Sequence, residues 1–137
     1  MNYFPNVIIL SAESTGNDTL TNERKTEMLR NCLGDCNISF AEGMGFYKGE
    51  GPQASFVVLP KNIDEIEAVK SFAFTTFKQE AVLFQDNNQE AYLVYRDGRE
   101  ERLGRLQEVT KDKAEEVGSY TLLNGKYYST IPRPTAL

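Results

Sequence analysis

Apolar residues follow distinct periods along this chain, and each period predicts a kind of element. Asn6-Val7-Ile8-Ile9-Leu10-Ser11 is a near-continuous apolar run, the pattern of a strand buried on both faces. The polar link AESTGND leads to a segment in which Leu20, Met28, Leu29, Cys32 and Leu33 fall at helical spacing. A helix is expected over 19–33, with Gly34 as its left-handed C-cap. Cys36-Asn37-Ile38-Ser39-Phe40 alternates with period two and predicts a strand with one wet face. Residues 43–53, GMGFYKGEGPQ, read as a glycine-rich loop, and Ala54 to Leu59 as the next strand, stopped by Pro60.

Asn62 is a good N-cap, and Glu65 stands three residues on as in a capping box. Ile63, Ile66, Val69, Phe72, Ala73 and Phe77 give the following helix its buried face. Ala81 to Phe84 and Ala91 to Tyr95 are strands joined by the polar turn QDNNQE, and Asp97-Gly98 supplies another turn. Tyr120 to Leu123 and Lys126 to Tyr128 flank Asn124-Gly125, a strong hairpin signal. The acidic stretches EIE, GREER and KAEE read as solvated helix faces or turns, and the tail 129–137 as extended chain.

The order β-α-β-β-α-β, then further strands, predicts an α+β domain over 1–137 of the ferredoxin-like kind. Its antiparallel sheet would carry two helices on one face and extra C-terminal strands. The other face would need covering, and oligomerisation, as a trimer or dimer with sites between subunits, is the economical way.

Composition narrows the function. With 137 residues, 40% of them hydrophobic, the chain can close a core without disulfides or metals. A net charge of −5, with Lys and Arg spread along the chain, gives no footprint for a phosphate backbone, so nucleic acid is not an expected partner. The opening MNYFPNVIIL lacks the features of a signal peptide, and no apolar stretch reaches bilayer-spanning length, so no membrane association and a cytoplasmic location are expected. Cys32 and Cys36 have no histidine or further cysteine to complete a zinc site and read as reduced thiols; no metal and no cofactor are expected.

Absence of histidine also removes the commonest general base and the usual form of a serine triad. Gly43, Gly45 and Gly49 precede a strand rather than open a helix, so they do not form a dinucleotide fingerprint. They allow either a close approach of backbone to a ligand or a flexible connection. Tyr47 is the aromatic most open to a ligand, and its ring face can hold a cation. Glu108, in Leu106-Gln107-Glu108-Val109, is an acid among apolar residues, which places it near the interior, at an interface, or on an exposed strand.

Several of these segments resemble the phage S-adenosylmethionine-cleaving enzymes, a family of lyases with a PII-like fold. Tyr92-Leu93-Val94-Tyr95, Glu101-Arg102-Leu103 and Leu106-Gln107-Glu108-Val109 look like that family's LVY…ERL…QEV run. Gly45-Phe46-Tyr47-Lys48, Gln79-Glu80-Ala81-Val82-Leu83 and the strand from Val7 to Ala12 resemble further elements in the same order. The resemblance implies homotrimers with active sites at subunit interfaces, and conversion of S-adenosylmethionine to methylthioadenosine and homoserine lactone without metal or cofactor. It implies a phage anti-restriction or host-takeover role.

It also implies site residues. Tyr47 would contact the substrate near the sulfonium and Glu108 would hold the α-amino group. Gln107, Gly45, Phe46, Lys48 and Ser11 would assist. Gln53 stands where the family usually has a second glutamate; it can hydrogen-bond the substrate but cannot offset its charge, and Glu50 is the nearby alternative. That departure keeps two other readings open: a non-catalytic PII-like module that sequesters an adenosine-containing ligand, and a lyase of a nucleotide-conjugated S-adenosylmethionine.

Overall fold

The structure, a computed structural model, describes residues 5–47 and 52–132. Its strands are β1 (Pro5–Leu10), β2 (Ser39–Phe46), β3 (Gln53–Leu59), β4 (Ala81–Asp86), β5 (Ala91–Tyr95), β6 (Glu100–Val109), β7 (Tyr120–Leu123) and β8 (Lys126–Ile131). Helices α1 (Thr19–Asp35), α2 (Ile63–Ser71) and α3 (Lys111–Val117) connect them, and a π-helical turn, Phe72–Thr76, extends α2.

All neighbouring strands are antiparallel, and the order β1-β3-β2-β7-β8-β6-β5-β4 closes on itself because β1 also pairs with β4. This corrects the ferredoxin-like, PII-like expectation of an open sheet with two helices on one face. The chain folds instead as a closed eight-stranded antiparallel barrel with three α-helices. The later strands are not an appendage. They carry the sheet round until β7 pairs with β2, with Gly45 opposite Thr121 and Phe46 opposite Tyr120. The sheet face that seemed to need a partner subunit is the barrel interior, so the packing argument for an oligomer falls away.

The strand hidden from the pattern is β6. Five of its ten residues are charged because much of the strand is exposed, with Leu103 and Leu106 half-buried between. Residues 100–104 pair with β5 and 105–109 with β8. At the change of partner, Gly104 has φ +101°, and a Cβ there would strike the Ile131 carbonyl oxygen. The stretch KAEE, expected as a solvated helix face or turn, lies in α3, Lys111–Val117. The helix is capped by the Thr110 side chain, which accepts from Lys113 N at 3.1 Å, and ended by Gly118 in the left-handed region.

The continuous apolar pattern of β1 is explained by its two buried faces. Ile8 and Leu10 join Phe56, Val58, Val82 and Val94 in a core sealed from outside by Leu29 and Leu33 of α1 and by Ile66 and Val69 of α2. Ile9 faces the lumen side, where it lines a cavity. Asn62 caps α2 as expected, accepting from Glu65 N at 2.9 Å, while Lys61 N donates to Glu65 Oε1 at 2.9 Å.

The end of α1 departs from expectation. Gly34 lies within the helix, Cys36 caps it, and Asn37 takes the left-handed conformation at φ 57°. The Asn37 and Ile38 amides return to the Gly34 and Leu33 carbonyls, each at 3.0 Å, a Schellman-like closure. Strand β2 therefore starts at Ser39, not Cys36. It runs to Phe46, into the segment expected to be loop, and β8 takes up residues to Ile131 of the expected tail. Cys32 and Cys36 are free thiols, half-buried and exposed respectively. No helix among the described residues is long and apolar enough to cross a membrane.

Helix α1 is pinned to β2 by a two-pronged pair. Arg30 Nε and Nη2 each donate to Glu42 at 2.7 Å. The Arg30 hydrogen bond holds the Glu42 carboxyl below its ordinary value of 4.5, against a smaller opposing effect of burial. A carboxyl depressed in the folded state contributes stability above its unfolded pKa and loses it as pH falls through the folded value. With side chains 43% and 40% exposed, the pair is solvent-screened. Arg30→Ala is expected to cost about 0.5 kcal/mol in urea unfolding at neutral pH. The deficit should shrink as pH falls through the ordinary carboxylate value of 4.5 and on below it, where Glu42 protonates in both proteins. A deficit unchanged at acid pH would show that packing of the arginine stem, not charge, is what was lost.

Candidate functional site

The barrel interior holds a cavity of about 760 Å³, within the roughly 300–1,000 Å³ range of small-molecule sites. Its inner wall is apolar, built from Ile9, Leu83, Leu93, Leu103 and Leu106, with Tyr128 of β8. Much of the polar lining comes from the links at one end of the barrel. The β1–α1 link gives Ser11 and Glu13, the end of β2 gives Tyr47, the start of β3 gives Gln53, and the link before β4 gives Lys78 and Gln79. Functional side chains on links held by a rigid barrel are a common arrangement.

Hydrogen bonds fix this mouth. Ser11 Oγ accepts from Glu13 N at 3.0 Å and turns the chain as it leaves β1. Glu13 Oε2 then accepts from Ala54 N at 2.9 Å and from Thr26 Oγ1 at 3.2 Å, tying the link to β3 and α1. Gln79 Nε2 donates to the Glu13 carbonyl at 3.1 Å, so the segment before β4 joins the same web. The π-helical turn closes with Phe77 N on Phe72 O at 2.9 Å and sets Phe77 against the cavity. Such turns often re-aim a helix end at functional sites.

Gly45 makes room for Tyr47. Gly45 pairs with Gln53 across β2 and β3, and a Cβ on it would lie 2.5 Å from Ser55 Oγ, 3.0 Å from Tyr47 Cε2 and 3.1 Å from the Tyr47 hydroxyl. The ring therefore folds back over the glycine at the cavity mouth. Tyr47 is 38% exposed, as its place in the sequence suggested. Phe46, on the alternate side of β2, stacks on Tyr120 with ring centres 4.7 Å apart.

Of the residues singled out from sequence, Tyr47, Gln53 and Ser11 meet around the cavity. Gly45 and Phe46 sit immediately behind them on β2. Gln107 and Glu108 lie on β6, with Gln107 opposite Ser129 and Glu108 opposite Tyr128, and neither borders the cavity. The Glu108 side chain is 56% exposed and faces Lys126 at 3.9 Å, so it is not held in the interior. Lys48 and Glu50 lie outside the described residues. Among the described residues no cluster of side chains suited to a metal ion occurs.

Sequence reasoning missed Glu13, Gln79, Tyr120 and Tyr128. Glu13 was hidden in a polar link, where an acid is unremarkable. Its available signal was position: it is the first acid after the C-terminal end of a strand buried on both faces. Tyr120 and Tyr128 belong to the predicted hairpin, and nothing in a hairpin pattern says that the hairpin helps to close a barrel with a hollow interior.

The sequence model of the S-adenosylmethionine lyase family matches residues 8–131, from the start of the buried part of β1 to the end of β8. No curated protein matches the chain.

The close approach at Gly45 is open to test by unfolding. Gly45→Ala is expected to destabilise the protein by about 1–3 kcal/mol, as overpacking does. The cost should fall in a Ser55→Ala background, where the oxygen nearest the new methyl is gone. Equal costs in both backgrounds would show that this contact is not the constraint on Gly45.

Proposed function

The chain belongs to the S-adenosylmethionine lyase family, and from that premise we propose that it cleaves S-adenosylmethionine to methylthioadenosine and homoserine lactone. The observation that carries the reading at the site is the cavity itself: an apolar wall with a tyrosine, a glutamine and a carboxylate at its mouth.

The reaction asks little of the protein because the substrate supplies both reacting groups. A carboxylate oxygen attacks the γ-carbon of the methionine chain, the carbon–sulfur bond breaks, and its electron pair stays on sulfur. The products are a neutral thioether and a lactone, and no proton moves. Holding the chain in the folded-back conformation makes the step intramolecular, and well-oriented cases reach effective molarities of about 10⁵–10⁸ M. The step also destroys charge, since a sulfonium and a carboxylate become neutral groups. An apolar wall such as that of Leu83, Leu93, Leu103 and Leu106 favours it, because water would stabilise the charges that are to disappear.

In this reading Tyr47 lies against the sulfonium, with its ring face toward the positive charge. Ser11 and Gln53 orient the polar parts of the substrate, and the backbone about Gly45 and Phe46 lines its flank. Glu108 holds the α-ammonium. Since it does not border the cavity of its own protomer, it would have to come from a neighbour, which is the trimer with inter-subunit sites that the resemblance implies. A phage-encoded enzyme of this kind, acting in the host cytoplasm, would deprive methyltransferases and restriction systems of S-adenosylmethionine. Gln53 in place of a glutamate supports a second reading, a module that binds an adenosine-containing ligand without cleaving it. A nucleotide-conjugated substrate fits the same chemistry.

Mass spectrometry of a reaction with S-adenosylmethionine is expected to show methylthioadenosine and homoserine lactone. Homoserine carrying solvent oxygen, with no lactone on the way, would mean hydrolysis. Tight binding without product would favour the binding module. Glu108→Gln should abolish cleavage, as should Tyr47→Ala, and mixed trimers of the two inactive variants should recover about a quarter of their sites. Full activity of Glu108→Gln alone would remove that residue from the site.

A further inference from the structure

We infer that Glu13 binds the α-ammonium group of the substrate from within the barrel. This rests on the proposed reading of the cavity as the S-adenosylmethionine site and adds a residue to it.

Charge selects the candidate. The substrate is cationic at two places, the sulfonium and the α-ammonium, and a cavity that takes it needs an anion. Two carboxylates, Glu13 and Glu80, border the cavity among the described residues. Glu80 is committed elsewhere: it bonds Arg96 Nη2 at 2.8 Å, and its side chain is 82% exposed. Glu13 is bonded to neutral donors, the Ala54 amide and the Thr26 hydroxyl, and both act on the same oxygen, Oε2. They fix the carboxylate without neutralising it and leave Oε1 for a further donor. Lys25 and Lys78 border the same mouth, but they cannot serve a cation.

Position makes the assignment specific. Ala54 follows Gln53, so the bond from Ala54 N holds the Glu13 carboxylate at the β3 backbone one residue on from the neutral Gln53, which borders the same cavity. A negative charge absent from β3 is thus supplied by the β1–α1 link. The web through Ser11 and Gln79 holds that link in place.

Chemistry decides between the two cations. An anion on the sulfonium would stabilise a charge that the transition state is losing, and would slow the step. An anion on the α-ammonium meets the same charge before, during and after ring closure. It anchors the chain from which the carboxylate must reach the γ-carbon and leaves the barrier untouched. An ammonium has three N–H donors, so Glu13 does not displace a carboxylate delivered from another subunit.

The test uses Glu13→Gln, which keeps an acceptor for Ala54 and Thr26 and removes only the charge. Binding would be measured as the KM for S-adenosylmethionine, which the protein turns over on this reading, and by calorimetry for S-adenosylhomocysteine, which keeps the ammonium but has no sulfonium, and for methylthioadenosine, which has neither. The expected result is a loss of about 10- to 100-fold for the first two ligands and none for the third, with an unchanged melting temperature. Loss for S-adenosylmethionine alone would put Glu13 on the sulfonium and overturn the assignment. So would loss for methylthioadenosine, which would indicate a ribose contact or a disturbed cavity, and so would wild-type affinity for all three. If the variant misfolds, Glu13→Asp serves: partial affinity for the two ammonium ligands supports the assignment, and unaltered affinity refutes it. Wild-type protein that binds none of the three would bring down the proposed function itself, and this inference with it.

Discussion

Barrel closure rests on β6, whose first half pairs with β5 and whose second half pairs with β8. A strand that changes neighbour midway must bend at the change, and Gly104 allows it. Its left-handed φ is one L-residues rarely take, and its missing Cβ lets the Ile131 backbone lie directly against it. Without that corner, the sheet through β4 and β5 would not meet the hairpin of β7 and β8. The hairpin could not then reach β2, and Tyr120, Thr121 and Tyr128 would have no cavity to line. The interior exists because one strand is shared between two parts of the sheet.

Closure divides the labour between the two sides of the wall. Outside, α1 and α2 cover β1, β3 and β4 and build a dry core from large aliphatic residues and Phe56. Inside, the apolar faces of the same strands are not packed to completion. Ile9 and Leu83 face a hollow instead of a partner. Most of the burial that stabilises the fold therefore lies away from the site, and the links at the mouth are free to carry polar residues. Those links are rigid nonetheless. Glu13 joins the β1–α1 link to β3 and α1, and Gln79 joins the segment before β4 to Glu13.

Elements with a strong period were legible from sequence, and the architecture was not. The buried run of β1, the capped helix at Asn62 and the Asn124-Gly125 hairpin lie where their patterns put them, because burial and turn chemistry act locally. Closure is not local. The decisive strand, β6, is rich in charge because much of it faces water, so its pattern resembles a solvated turn. The tail that seemed extended is partly β8, whose pairing with β6 joins residues 18 to 26 positions apart and leaves no periodic mark of its own. The site was half legible for the same reason. Tyr47, Gln53 and Ser11 belong to segments that stand out as a glycine-rich loop or a strand end. Glu13 matters only through residues far along the chain, Ala54 and Gln79.

The two kinds of lining suit the two ends of the substrate differently. The end of the reaction that loses charge gains from apolar surroundings, since a poor solvent for ions raises the separated charges above the transition state. The end that keeps its charge gains from a fixed anion, since a constant attraction orients the chain without opposing the step. On the proposed reading, leucines line the deep part of the cavity and a hydrogen-bonded glutamate stands at the mouth. A carboxylate placed deep among the leucines would bear a large desolvation cost and would also stabilise the wrong state. At the mouth it is half-buried, held by neutral donors, and shares the lining with a glutamine that carries no charge. On that reading, separating the orienting charge from the place where charge vanishes is what would let a chain without histidine support the reaction.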